Sequence, residues 1–241
     1  MNMEIIGPFV LTFISGFSTF LGIIPIYLKT NKVGDIITFT LSLSYITLLS
    51  ISLFDLIPSS IKYLINIYQV ILGLIVFLIG YTIILLLKRK EGSSLYKIGI
   101  ISLISLILHN IPEGIIVFIS SYKNIKIGLK TVIAIICHNI PEGLLIAVPL
   151  YYSKVSKKNV IKNVLIASLS EPFGALLSFL FMSRGSKLLI AYIQLFVSGM
   201  MISLSINEIQ KELFKYNNKK YVIIGFGLSI VLISILSILN F

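Results

Sequence analysis

Charged side chains are scarce in this sequence: they make up 12% of its 241 residues, while hydrophobic side chains make up 57%. A soluble protein is about a quarter charged, so the shortage excludes a soluble protein of this size. A single cysteine excludes an internal disulfide bond and any thiolate-rich metal cluster. Tryptophan is absent, and the twelve tyrosines are therefore expected to supply the aromatic belts at the membrane interfaces.

Long apolar runs, by contrast, cover most of the chain. They reach the length of about 17–25 residues that crosses a bilayer, and charged connectors separate them. The pattern predicts an all-α integral membrane protein with eight transmembrane helices, near residues 8–28, 36–57, 69–87, 98–121, 129–152, 160–182, 188–207 and 221–241. Because the connectors are short, we expect residues 1–241 to form a single polytopic domain in the cell membrane, either a plasma membrane or an inner membrane.

The net charge of +11 comes from 20 Lys and Arg against 9 Asp and Glu. In a soluble protein this excess would suggest nucleic acid, but here the basic residues fall in the connectors between apolar runs. We therefore expect the lipid bilayer, and no nucleic acid, as a partner. Fourteen basic residues lie on one side of the predicted spans and six on the other. The positive-inside rule then places both termini outside the cytoplasm.

Several ionisable residues interrupt the spans themselves. Both histidines and five of the nine acids lie inside the spans or at their ends: His109, His138, Asp55, Glu113, Glu142, Glu171 and Glu208. A carboxylate at the bilayer centre costs roughly 2.5–3.5 kcal/mol, so these groups are expected to face the protein interior. A rise of about 1.5 Å per residue places His109, His138 and Glu171 near the midplane, although they belong to three spans that run in two directions.

One six-residue motif occurs twice. Residues 109–114 and residues 138–143 both read His-Asn-Ile-Pro-Glu-Gly. In a helix, residues four apart share a face, so each histidine is expected to stack with the glutamate of its own motif. Imidazole, carboxylate and amide oxygen suit divalent ions of borderline hardness, such as Zn²⁺, Fe²⁺, Mn²⁺ or Co²⁺. Asn-x-Pro-Glu-Gly could instead form a turn between two short helices, but two copies on adjacent spans at matched depth favour a functional site.

The two motifs, followed on the next span by Glu171-Pro172-Phe173-Gly174, resemble the ZIP (zinc/iron permease) transporters, and in particular their compact bacterial zinc-uptake branch. The resemblance implies a two-metal site at the midplane and a homodimer. The implied ligands of one ion are His109, Glu113, His138 and Glu142. Those of the other ion are Asn110, Asn139 and Glu171, with the same two glutamates shared. A serine of span 2 is also implied near the first ion, and Ser52 is the best match.

Spans 1–3 are expected to be repeated by spans 6–8 in inverted orientation, around the central pair formed by spans 4 and 5. Residues 50–56 align with residues 203–209 at an offset of 153, and residues 17–22 align with residues 169–174 at an offset of 152. Because span 1 and span 6 run in opposite directions, the repeat implies a pseudo-two-fold axis in the membrane plane. Asp55, at the outer end of span 2, and Glu208, at the cytoplasmic end of span 7, are expected to attract cations on the two sides.

The predicted function is transport of divalent metal cations across the membrane, Zn²⁺ first and also Fe²⁺, Mn²⁺, Co²⁺ or Cd²⁺. Uptake into the cytoplasm is implied by the resemblance. The metal would be the transported substrate, no cofactor is expected, and the protein is not expected to be an enzyme. Two alternatives remain open. One is a membrane-embedded zinc-dependent hydrolase, in which a catalytic zinc takes three protein ligands and keeps one position for water; the other is a metal-selective channel.

Overall fold

The computed structural model describes residues 3–28, 31–87, 94–181, 187–216 and 218–239. Within these ranges the regular structure is helical and no β-strand occurs. The all-α prediction is therefore confirmed. Local composition explains the preference, because each segment is rich in Leu and Ile, and a helix satisfies every backbone hydrogen bond within the segment in a lipid environment.

Eight helical stretches follow one another along the described chain. The first four are α1 (Met3–Phe20, continued by a 3₁₀ helix at Leu21–Tyr27), α2 (Val33–Ile51, a π-helical segment at Ser52–Leu56, then Ile57–Ile61), α3 (Ile67–Leu87) and α4 (Ser94–Lys123). The last four are α5 (Ile125–Tyr152), α6 (Lys157–Phe181), α7 (Lys187–Leu204, a π-helical segment at Ser205–Ile209, then Gln210–Leu213) and α8 (Lys219–Leu239).

Seven of these helices, α1 to α7, are long and apolar enough to cross a membrane within the residues that the structure describes. The chain is therefore a multi-pass membrane protein. The helix α8 corresponds to the eighth predicted span and has 21 residues. Residues 240–241 of that predicted span, and residue 182 of the sixth, lie outside the described residues.

Two predicted boundaries are wrong in a way that affects function. The second span was predicted to end at residue 57 and the seventh at residue 207, yet α2 remains helical to Ile61 and α7 to Leu213. Asp55 and Glu208 therefore lie within helices and not at helix ends. The prediction stopped at polar residues and at Pro58, but a proline is tolerated in the first turn of a helix, and Pro58 stands there, directly after the π-helical segment.

The helices pack as one central unit with two flanking pairs. In the central unit, α1, α4, α5 and α6 each contact the other three helices. The flanking pairs are α2 with α8 and α3 with α7, and they join the central unit where α2 contacts α5 and α7 contacts α4. Among α1 to α7, the helix α5 is the most buried and α3 the least, since 72% and 17% of their apolar windows are covered by the rest of the described chain.

Glycines of the repeated motif allow the closest helix approaches in the central unit. A side chain at Gly143 would collide with the carbonyl oxygen of Thr19 on α1. A side chain at Gly114 would collide in the same way with the carbonyl oxygen of Glu171 on α6. Because only glycine lacks a Cβ, these two positions let α5 meet α1, and α4 meet α6, with backbone against backbone. The contacts place the residues that precede each glycine at the centre of the unit.

Candidate metal site

The two His-Asn-Ile-Pro-Glu-Gly motifs lie within unbroken helices, one in the middle of α4 and the other in the middle of α5. The alternative that the motif forms a turn between two short helices is therefore wrong. Pro112 and Pro141 lie inside these helices, where a proline leaves one backbone carbonyl without its helical partner. The helix α2 contacts α5 at this point, because the Ser44 hydroxyl donates to the Pro141 carbonyl oxygen over 2.9 Å.

One carboxylate oxygen joins the two histidines. Glu113 Oε1 lies 3.1 Å from His109 Nε2 and 2.9 Å from His138 Nε2, so it bridges the imidazoles of α4 and α5. One ligand atom from each of these three residues lies within 4.8 Å of the others. The three side chains are nearly inaccessible, with exposures of 1%, 5% and 3% for His109, Glu113 and His138. A geometry of two imidazole nitrogens around one carboxylate suits a borderline divalent cation.

Glu142 borders the same cluster from α5. Its Oε1 lies 3.7 Å from His109 Nε2, and the residue is 1% exposed. Both of its carboxylate oxygens are buried without a hydrogen-bond partner among the described residues. Burying a carboxylate without a partner costs free energy. The position of Glu142, 3.7 Å from an imidazole nitrogen, therefore favours a cation that neutralises its charge. The structure thus brings together all four residues that the sequence analysis assigned to the first ion.

The second group of predicted ligands lies where α4 and α5 meet α1 and α6. The Asn139 amide nitrogen donates to the Ser15 carbonyl oxygen over 3.0 Å and also to Glu171 Oε1. The Asn110 amide nitrogen donates to the Ala167 carbonyl oxygen over 3.3 Å. Each amide therefore uses its nitrogen on the backbone and keeps its Oδ1 atom, which is buried without a partner among the described residues. An amide held in this way presents an oxygen, which is the atom that a metal binds.

The carboxylates of this region repel one another. Glu171 is fully buried, and its charge interacts unfavourably with those of Glu113 and Glu142. Its Oε2 atom, like Glu113 Oε2, has no hydrogen-bond partner among the residues described. At an effective dielectric constant near 20, two unit charges 4 Å apart interact by about 4 kcal/mol. Three carboxylates within one buried cluster therefore favour the binding of positive ions, and the mixed nitrogen and oxygen donors fit divalent metals.

The remaining three predicted residues, Ser52, Asp55 and Glu208, lie in the two π-helical segments and not in the repeated motifs. Ser52 is fully buried in the π-helical segment of α2, and its hydroxyl has no hydrogen-bond partner within the described part of the chain. Asp55, on the same segment, is exposed, and its charge interacts with His138. Glu208 lies in the π-helical segment of α7 and is 9% exposed.

Two backbone carbonyls, which no sequence motif marks, hold the side chains of the asparagines. Asn139 binds the carbonyl of Ser15 and Asn110 binds that of Ala167. These two acceptors are 152 residues apart, which is the offset already noted between α1 and α6. The repeat could therefore have predicted a matched pair of hydrogen-bond acceptors. Every residue has a backbone carbonyl, however, so which carbonyls accept these bonds can be seen only once the helices are in contact.

Comparison with known proteins identifies the family of this chain. The family profile described as ZIP Zinc transporter matches residues 88–235, which is more than half of the chain. The chain is also similar to proteins named Zinc transporter ZupT from Salmonella arizonae, Salmonella heidelberg and Salmonella newport, with 31% identity over 96% of this chain and 98% of each relative. The profile and the relatives describe transporters and not enzymes, so the hydrolase alternative is set aside. This chain belongs to the ZIP zinc transporter family.

Proposed function

We propose that this divalent metal transporter carries Zn²⁺ into the cytoplasm through the buried site on α4, α5 and α6. The observation that supports the proposal is the Glu113 carboxylate, which contacts both imidazoles in the middle of two membrane helices. Zinc is the metal that the names of the matched relatives contain. The donor set also suits Fe²⁺, Mn²⁺, Co²⁺ and Cd²⁺. The ion is the transported substrate in this proposal and not a resident cofactor.

We assign two neighbouring ions to the site. His109, Glu113, His138 and Glu142 hold the first, and Asn110, Asn139 and Glu171 hold the second, with the two motif glutamates shared. The unpartnered Oδ1 atoms of the asparagines and the unpartnered oxygens of the glutamates support this assignment. Ser52 is proposed as an additional oxygen ligand near the first ion. No thiolate takes part, so binding can remain weak enough for the ion to be released.

We further propose that the eight helices form an inverted repeat, with α1 to α3 related to α6 to α8 about the pair α4 and α5. Contacts between helices support it: α1 packs on α5 as α6 packs on α4, and α2 packs on α8 as α7 packs on α3. The Asn139 bond to Ser15 is matched by the Asn110 bond to Ala167. The π-helical segments Ser52–Leu56 and Ser205–Ile209 are also matched, at an offset of 153 residues.

The proposed transport step moves the central unit of α1, α4, α5 and α6 against the flanking helices α2, α3, α7 and α8. Each helix of the central unit contacts the other three, so the unit can move as one body with its bound metal. The excess of basic residues in one set of connectors supports a cytoplasmic position for that side and an outside position for both termini. Residues 1–241 are proposed to form one polytopic domain in the cell membrane, and a second copy is proposed to pack on α3, the least covered helix among α1 to α7.

The decisive test is uptake of ⁶⁵Zn²⁺ by sealed liposomes that contain the purified chain. We expect saturable uptake by the unaltered protein and its loss in the Glu142→Ala variant, because this carboxylate borders the histidine cluster from α5. Cys137→Ala is the matched control, since Cys137 neighbours His138 in sequence but is only partly buried. Unimpaired uptake by Glu142→Ala would contradict the site assignment, and flux that never saturates and shows unitary currents would favour the channel alternative.

A second prediction concerns Asp55, the exposed carboxylate in the π-helical segment of α2. We propose that it attracts cations from the outer side. The Asp55→Asn variant should raise the apparent KM for Zn²⁺ at low ionic strength, and the difference should shrink as salt screens the charge. Kinetic measurements at about 10 mM and about 150 mM salt, where the Debye lengths are roughly 30 Å and 8 Å, will check this. An unchanged KM at low salt would remove the steering role.

A further inference from the structure

The last turns of α7 carry two glutamates that the protein buries. Glu208 is 9% exposed and Glu212 is 6% exposed. They are four residues apart, so they share a face of the helix, and the second lies in the segment Gln210–Leu213 beyond the predicted end of the span. Glu208 Oε1 has no hydrogen-bond partner within the described residues. Because burying a carboxylate is costly, the pair requires compensating positive charge.

Lys215 supplies such a charge from the turn that follows α7. Its ammonium donates to Glu212 Oε2 over 2.5 Å and to the Ser94 hydroxyl over 2.8 Å. The lysine side chain is 58% exposed, while that of Glu212 is 7% exposed. The ion pair therefore joins a buried carboxylate to a solvent-facing cation, and the hydrogen bond of the same lysine to Ser94 links the end of α7 to the first residue of α4.

The helices that border the two glutamates carry further oxygen atoms without a partner. The α7 segment Ser205–Ile209 contacts α2 and α4, and the segment Gln210–Leu213 contacts α2. On these neighbours, the Thr40 hydroxyl of α2 and the Ser105 hydroxyl of α4 are buried and lack a hydrogen-bond partner among the described residues. Ser105 lies one helical turn from His109, on the side of the α4 N-terminus. Polar oxygens thus extend from the metal cluster toward the Ser94 end of α4.

We propose that Glu208 and Glu212 form a second cation-binding station, which receives the divalent metal after it leaves the midplane site and which Lys215 occupies as a built-in counter-cation. The proposal rests on the transport function and the orientation proposed above, in which this end of α7 faces the cytoplasm. The two carboxylates offer a hard ligand set made of oxygen atoms alone. Such a set binds a borderline metal more weakly than the histidine-containing site does, and weak binding is what release requires.

In this arrangement the ammonium and the metal compete for the same carboxylate. When Lys215 pairs with Glu212, the station is neutralised and the end of α7 is attached to Ser94 on α4. When a divalent ion arrives at Glu208, the ammonium is repelled, and because it is already more than half exposed it can move into water at little cost. The attachment between α7 and α4 is then lost together with the ion pair, so binding at the station also frees the central unit from its flanking helix.

The test measures zinc binding in a full-length background without the midplane site, made by the double substitution His109→Ala and His138→Ala. Equilibrium dialysis with ⁶⁵Zn²⁺ on purified protein should detect the remaining station. We expect the further substitution Lys215→Gln to tighten this binding about tenfold, equivalent to about 1.4 kcal/mol, because the competing ammonium is gone. Adding Glu212→Gln to Lys215→Gln should abolish the gain, since the shared carboxylate is then lost as well.

Two controls separate this local competition from a general change in charge or folding. Lys219→Gln removes the same charge from the start of α8, at the same end of the molecule, and should leave the zinc affinity unchanged. Lys215→Arg keeps the cation and should bind zinc as weakly as the background does, with an unchanged elution volume on size exclusion. An equal gain from Lys219→Gln, or no gain from Lys215→Gln, would overturn the proposal.

The binding result is independent of transport. If the unaltered protein transports zinc but Lys215→Gln binds it no more tightly than the background, the station is wrong while the transport function stands. If Lys215→Gln tightens binding and Glu212→Gln reverses the gain, the station is supported. This holds even if the liposomes show no saturable uptake, a result that would contradict the transport function alone.

Discussion

The Glu113→Gln variant will bind no metal at the histidine cluster and will show no saturable zinc uptake. Glutamine keeps the size of the side chain and its hydrogen-bonding capacity, but it removes the charge from the atom that contacts both His109 and His138. Loss of a partner that merely supports a ligand costs roughly 10–100-fold in metal affinity. Loss of a charged group at the centre of the cluster should exceed that range.

Thermal unfolding in the presence of zinc provides the measurement for Glu113→Gln. A ligand at 100 times its Kd stabilises the folded state by about 2.7 kcal/mol, so zinc should raise the Tm of the unaltered protein. The variant should lose most of this rise, keeping at most the smaller rise that a weaker site would give, while its Tm without metal stays close to that of the unaltered protein because the substitution creates no cavity. A zinc-dependent rise in Tm of unchanged size in Glu113→Gln would contradict the assignment of the metal to the histidine cluster.

The Gly143→Ala variant will be destabilised although it adds a single methyl group. The new Cβ would collide with the carbonyl oxygen of Thr19, which is backbone and cannot rotate away. Overpacking of this kind typically costs about 1–3 kcal/mol, and here it also separates α1 from α5. The Ser15 carbonyl on α1 would then move away from Asn139, whose amide it holds. We therefore expect both a lower Tm and weaker metal binding.

Gly227→Ala on α8 is the matched control for this variant, because no atom lies within 4 Å of the position that its Cβ would take. Alanine is favoured over glycine in a helix by about 1 kcal/mol, so the control should have an unchanged or slightly higher Tm. Both variants can be compared by thermal unfolding in the same detergent. Equal stability of Gly143→Ala and Gly227→Ala would contradict the close approach of α5 to α1.

Most of the midplane site could be predicted from the sequence because charge is so unfavourable in lipid. His109, Glu113, His138 and Glu142 belong to two identical motifs in apolar runs, and each must find a partner inside the protein. Helical periodicity places the members of one motif on one face. The contact of Glu113 with the histidine of the other motif could not be predicted in this way. It depends on the relative rotation of α4 and α5, which is set by packing and not by spacing along the chain.

The ends of α2 and α7 show where sequence reasoning failed. Apolar runs were ended at polar residues, so Glu212 was assigned to a connector, beside Lys211 and Lys215. In the structure α7 continues through this residue, its segment Gln210–Leu213 packs against α2, and Glu212 is 6% exposed. Local composition describes what a segment would do in water or in lipid, and it carries no information about a neighbouring helix that covers the segment.

The amino-acid order alone was enough to specify a helical membrane protein, the depth of its ionisable groups and the divalent character of its ligand, because these follow from hydrophobicity, helical rise and donor chemistry. Only the folded chain decided that Asn110 and Asn139 donate through their amide nitrogens and keep their Oδ1 atoms unpartnered. It also decided that Asp55 is exposed while Glu208 is buried, and that Lys215 joins Glu212 to Ser94. Those features are contacts between helices distant in sequence. They depend on how the helices are rotated and how closely their glycines let them approach, which is a property of the packed molecule as a whole.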